Sequence, residues 1–213
     1  MQGRGRFITF EGMDGSGKTT QMRLLGERLR REGREVLETV EPGGTEIGSQ
    51  IRRILLDSAN QELRPTAELL LYFASRAQNV EQCIQPALSA GKIVLCDRFT
   101  DSTLAYQGYG RGLGEETVLT LDRIACRGLA PDLTLLVDVD VDTALGRAHT
   151  RNASLFTPEE TRMDEQSLEF HRKVRKAYLA LARQYSSRFR IIDGRGSPDQ
   201  VAQRVWEAVA PHV

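Results

Sequence analysis

The strongest constraint on this chain lies in Gly12, Met13, Asp14, Gly15, Ser16, Gly17, Lys18 and Thr19, which spell G-x-x-x-x-G-K-T. They follow the β-rich run "RFITFE" and precede residues with helical spacing from 18 to 32, which stop at Gly33. A strand that enters a glycine-rich turn and leaves as a helix is a phosphate-binding loop. The glycines let backbone N–H groups converge on phosphate oxygens at the positive end of the helix. Lys18 is then placed to bridge the β- and γ-phosphates of a nucleoside triphosphate, and the Thr19 hydroxyl to ligate Mg²⁺. Asp14 is electrostatically awkward inside an anion-binding turn. It is expected to face away from the triphosphate, toward an acceptor hydroxyl or a metal-bound water.

The rest of the chain alternates short apolar runs with helical patterns. "REVLETV", "KIVLCD", "PDLTLLVDVD" and "FRIID" read as further strands, and "IGSQIRRILLDS" and the long run 66–90 as helices. That alternation predicts a doubly wound α/β domain with a parallel sheet. The nearly continuous apolar run "KIVLCD" predicts a strand buried on both faces. "SPDQ" supplies a capping box for the last helix, with Pro198 in its first position. The length, 213 residues with 40% hydrophobic content, fits one core. Lys+Arg and Asp+Glu both number 29, which argues against whole-surface attraction to nucleic acid or anionic membrane. Three cysteines without a C-x-x-C pair read as reduced thiols. With no apolar run of membrane-spanning length and no signal-like core in "MQGRGRFITF", a soluble cytoplasmic protein is expected.

A second site is expected after "KIVLCD", because ligands of open α/β sheets bind beyond the carboxyl ends of strands. Asp97 is a candidate Mg²⁺-shell carboxylate, and Arg98 offers a fork suited to an acceptor phosphate. In "GYGRG", Arg111 is either an anion-binding turn residue or a solvated loop arginine.

"EGMDGSGKTT", "EPGGTEIG", "LYFASRAQ", "CDRFTDSTLAYQGYGRG" and "PDLTLLVDVD" together resemble the thymidylate kinases, of the nucleoside monophosphate kinase group. The resemblance runs from about Phe7 to the final helix. It implies a P-loop NTPase fold with a five-stranded parallel sheet and a mobile lid near residues 147–163. It also implies a homodimer, and ATP and Mg²⁺ acting on dTMP to give dTDP. By the same resemblance Phe73 is the aromatic stacked on thymine and Arg76 the arginine on the base edge. Their i,i+3 spacing allows one helix face to carry both. The resemblance makes Arg98 the residue holding the dTMP phosphate, places Thr103 and Gln107 at the base, and sets Tyr106 against the sugar 2′ position.

Two departures stand out. Val40 replaces the arginine that usually precedes E-P-G-G-T, so a phosphate contact is either absent or supplied by another basic side chain. Thr161 replaces the Asp that often precedes the lid arginine at Arg162. The phosphate loop has no arginine, whereas the lid has Arg147, Arg151 and Arg162, the lid-arginine pattern. Arg147 is expected to stack on adenine and Arg151 to reach the transferring phosphoryl group, with Arg162 as runner-up. "TPEE", residues 157 to 160, reads as a capping box opening a helix that carries Arg162. A kinase for another nucleoside monophosphate would keep the loop and change the base pocket. A deoxynucleoside kinase would need a carboxylate base near the 5′-hydroxyl, and a non-catalytic nucleotide switch would not need this set of cations. Finally, "AELLLYFA" carries more apolar residues than one buried stripe, which predicts a twofold interface on that helix.

Overall fold

The computed structural model describes residues 4–154 and 161–213, the side chains of 151–154 excepted. Five parallel strands, β1 (Phe7–Glu11), β2 (Val36–Val40), β3 (Ile93–Asp97), β4 (Leu133–Asp138) and β5 (Phe189–Asp193), lie in the order β2-β3-β1-β4-β5. Every residue of β1 and β3 is buried, as their near-continuous apolar sequences require. Chain order reverses around β1, whose neighbours are β3 and β4. The cleft beyond the carboxyl ends of β1 and β3 is therefore the expected ligand crevice. Phe10 pairs with Asp97 in register, so the phosphate loop and the segment after β3 leave the sheet side by side.

Period-2 alternation splits the core into two layers. Ile8, Phe10, Leu95, Leu135 and Val137 face α1 (Lys18–Arg31) and, further along the chain, α9 (Pro198–Val209). Phe7, Val94, Cys96 and Leu136 face the opposite layer of α3 (Pro65–Asn79), α6 (Glu115–Cys126) and α8 (Leu168–Gln184). Thr9 and Glu11 fall on this second face, both fully buried, so their polar atoms need partners there. Between these helices lie α2 (Glu46–Leu56), capped by Thr45, α5 (Thr100–Thr103), and α7 (Val141–Ser154). The capping box of α9 forms as read, with Ser197 and Gln200 exchanging hydrogen bonds.

The run expected as one helix over 66–90 is interrupted. A π-turn over Val80–Ile84 separates α3 from α4 (Gln85–Ser89). Pro86 has no N–H for the carbonyl four residues back and its ring crowds that carbonyl. The wider turn, in which Gln85 N–H reaches Val80 O, relieves both problems. A second π segment, Leu104–Gly110, follows α5 and closes with Arg111 N–H on Tyr106 O at 2.8 Å. No helix among the described residues is long and apolar enough to cross a membrane.

Candidate active site

The phosphate loop is built by backbone. Gly17 has φ +97 and Gly15 φ +76, and a Cβ on Gly15 would lie 2.0 Å from Ala144 O, so α7 leaves no room for a side chain. Gly17 is the N-cap of α1, with no side-chain cap and no acidic residue in the first turn. The first N–H groups of that helix are thus left for an anion. Met13 packs against Val139 and Ala144, and its carbonyl accepts from Ser16 N–H at 3.2 Å and Lys18 Nζ at 3.2 Å. Burial lowers the Lys18 pKa and Arg98 adds to the effect, while Asp14, Asp97 and Glu11 oppose it.

Thr19 Oγ1 donates to Asp97 Oδ2 in a short contact, and Asp97 Oδ1 is a buried oxygen without a protein partner. A hydroxyl and a carboxylate with a spare oxygen form a hard, oxygen-only donor set, which fits Mg²⁺. No group of three or more His, Cys, Asp or Glu side chains that could hold a metal ion occurs among the described residues. Phosphate oxygens and waters would have to complete the coordination, the usual arrangement for this ion.

One cavity of about 560 Å³ joins this end to the region beyond β3. Arg98 stands at its middle, with φ +69, a conformation costing about 1–3 kcal/mol for a side-chain-bearing residue. Its Nη2 donates to Asp14 Oδ2 at 2.9 Å and Tyr106 OH at 3.3 Å. Its Nη1 donates to Ser102 Oγ at 3.0 Å and Tyr178 OH at 3.1 Å.

At the far end Arg76 is 2% exposed. Its Nε donates to Glu41 Oε2 at 2.5 Å and its Nη2 to Thr103 Oγ1 at 2.9 Å. Burial works against charge on Arg76, but Glu41 outweighs it and keeps the guanidinium cationic. Behind this wall Glu68, fully buried, accepts from Gln107 Nε2 at 2.8 Å, Arg111 Nε at 3.2 Å and Arg111 Nη2 at 3.1 Å. Arg162 Nη2 lies 2.8 Å from Glu68 Oε2. Burial alone would raise the Glu68 pKa, but the Arg111 and Gln107 hydrogen bonds and both arginine charges hold it below its ordinary value.

A thymidylate kinase family model matches residues 10–205. The chain belongs to the thymidylate kinase family. It is 53% identical to a thymidylate kinase of Pelobacter propionicus over 201 residues, covering 94% of this chain and 92% of that one. It is 51% identical to a thymidylate kinase of Trichlorobacter lovleyi over 203 residues, 95% and 96% of the two chains. The crystal structure of thymidylate kinase from Ehrlichia chaffeensis superposes with TM-score 0.79 at 33% identity, over 97% of this chain and 99% of that one.

Within this thymidylate kinase fold, Asp14, Lys18, Thr19, Asp97, Arg98, Arg76, Thr103, Tyr106 and Gln107 all line the one cavity. Phe73 does not. It is 5% exposed and packs into the core with Leu69 and Phe99, while its neighbour Tyr72 lines the cavity instead. Arg76 Cζ lies 5.0 Å from the Phe73 ring centroid, as the i,i+3 spacing allows, but Tyr72, at i,i+4, shares that helix face and is the ring on the cavity. Arg162 is not a free lid arginine. It is 2% exposed, with Nε on Leu55 O at 2.6 Å, and it sits in a turn, not in a helix. The capping box at 157–160 and the Arg151 side chain lie outside the described residues. Arg147 is exposed and donates to Gly194 O at 3.3 Å beyond β5, away from the described cavity. Arg111 is not a solvated loop residue but part of the wall. Sequence reasoning also missed Arg52, which lines the cavity from α2, and Glu11, Glu41 and Glu68. An acidic residue inside an apolar run is the signal that could have found Glu68.

Proposed function

We propose that this chain transfers the terminal phosphoryl group of ATP to the phosphate of dTMP, giving ADP and dTDP. The observation that carries the reading is the position of Arg98, between the phosphate loop and the base-sized end of the same cavity. Phosphoryl transfer needs two nucleotides in line, water excluded and cations around the transferring oxygens. Lys18 and Arg98 supply two of those cations. The acceptor phosphate is already anionic near neutral pH, so no general base is required. Thr19 and Asp97 would hold Mg²⁺, which supplies charge neutralisation at the β- and γ-phosphates when bound. Arg151 would reach the transferring group and Arg147 would stack on adenine, within a single kinase domain whose lid spans about 147–163. At the acceptor end Tyr72 replaces Phe73 as the ring for the base, beside Arg76, Thr103 and Gln107. Tyr106 lies against the sugar, and Arg52 stands in for the arginine lost at Val40. Cytoplasmic placement belongs to the same reading, supported by the free thiols of Cys83, Cys96 and Cys126.

A coupled ADP-release assay across dTMP, dUMP, GMP, CMP and thymidine tests it. Turnover should be fastest with dTMP and absent with thymidine, and GMP or CMP used as well as dTMP would overturn the assignment. The reading includes a twofold homodimer. Ile47 and Ile54 on α2, Leu70 on α3 and Ile124 on α6 are exposed on helices that pack side by side. Sedimentation at micromolar concentration should give a dimer, and a monomer would exclude it.

A further inference from the structure

We infer that Glu11, buried behind the cavity and outside the phosphate loop, is the positioning residue that sets the hydrogen-bond polarity of Arg98 for the acceptor phosphate. The inference rests on the proposed role of Arg98 as the grip on that phosphate.

Glu11 ends β1 with no exposure to solvent. Its Oε1 accepts the Phe99 N–H at 2.8 Å, which pins the turn where Arg98 adopts its strained φ of +69. Its Oε2 accepts from Ser102 Oγ in a short contact and from Tyr178 OH at 3.2 Å. Those hydroxyls are the acceptors for Arg98 Nη1. A carboxylate only accepts, so Ser102 gives it its proton, and Tyr178 gives its own either to Glu11 or to Ser102 Oγ at 2.8 Å. In both arrangements the two hydroxyl oxygens present lone pairs to the guanidinium. One edge of Arg98 is anchored to the interior. The other, through Nη2, meets Asp14 and Tyr106 on the cavity and is the edge a phosphate would take over.

An amide in place of this carboxylate breaks the relay. Phe99 N–H needs an oxygen, so the amide nitrogen would face Ser102 and Tyr178. These oxygens are 2.8 Å apart, and one hydroxyl can give its proton to the other. The remaining proton then faces the Arg98 cation. Protonating Glu11 reverses one of the same bonds. Burial, then the nearby Asp101 charge, pushes its carboxyl up to about 7, against Ser102, Arg98 and the Phe99 N–H. Lys18, Cys96, Tyr178 and Arg188 are the other titratable groups around it.

The test is Glu11→Gln, assayed at pH 8 and pH 6 beside Arg98→Ala. At pH 8 the KM for dTMP should rise about tenfold, the scale of a misdirected charged hydrogen bond, with the KM for ATP unchanged. At pH 6, below the raised pKa of wild-type Glu11, the gap should narrow. Equal gaps at both pH values, or equal losses for ATP and dTMP, would mean that Glu11 only holds the fold and would overturn the inference. If Arg98→Ala raises the KM for dTMP and Glu11→Gln at pH 8 does not, the inference alone fails. If Arg98→Ala leaves that KM unchanged, the reading of Arg98 itself is wrong. Should Glu11→Gln lose its thermal transition, Tyr178→Phe replaces it. That variant should raise the KM for dTMP several-fold, and an unchanged KM overturns the relay.

Discussion

The donor and acceptor ends of the cavity are made in different ways. The donor end is consecutive backbone, Gly12 to Thr19, with few side-chain contacts and buried oxygens still without protein partners, Ser16 Oγ and Asp97 Oδ1. The acceptor end draws side chains from β2, α3, α5, the π segment at 104–110 and the turn at 161–166. Its charged groups are already paired, Arg76 with Glu41 and Glu68 with Arg111 and Arg162. One end waits for its ligand's charge to complete it, whereas the other supplies its own countercharge. The donor end should therefore lose catalysis when mutated, and the acceptor end should lose stability.

The largest expected effect breaks the acceptor end. Glu68→Ala leaves two arginines without their buried partner, a loss of about 3–5 kcal/mol, read as a lower urea midpoint. The charge stabilises only while the carboxyl is ionised. Its folded pKa is depressed, so the difference from wild type is full above the ordinary Glu value and closes as pH falls through the depressed one. If the urea midpoint does not move, the contrast between the two ends is wrong.

Next comes the donor end. Lys18 contacts only Met13 O and Asp14 among the described hydrogen bonds and ion pairs. Lys18→Ala should cost about 3–4 kcal/mol of transition-state stabilisation, measured as kcat, with an unchanged melting temperature. Near-normal kcat would remove Lys18 from the chemistry.

Tyr72 and Phe73 sharpen the comparison inside the acceptor end. Tyr72→Ala should weaken dTMP binding by about 1–3 kcal/mol, the worth of one aromatic under a base, with a nearly unchanged melting temperature. Phe73→Ala should do the reverse, and titration calorimetry beside thermal melts separates the two. The smallest effect is Gly17→Ala. A Cβ there meets nothing within 4 Å, so only the φ of +97 is penalised, at about 1–2 kcal/mol of stability. A much larger loss would show that side-chain crowding also shapes the loop.

The strands, the order of chain elements, the phosphate loop and the α9 cap were legible in the residues alone. Each is a local matter: a run of apolar residues, a glycine at positive φ, or a side chain bonding a backbone group three residues away. The sequence also placed Asp97 and Arg98 at a strand end, because parallel α/β sheets bind ligands there. It did not decide between Tyr72 and Phe73, because one lies four and the other three residues before Arg76, and either spacing makes a helical neighbour of that arginine. Nor did it show Arg162 as a buried clamp, since its partners Leu55 and Glu68 are distant in the chain. Only the tertiary structure set which buried charge meets which. A charge leaves water only when its countercharge is delivered by another element, and that delivery depends on how α2, α3 and the turn at 161–166 pack, which no local pattern encodes.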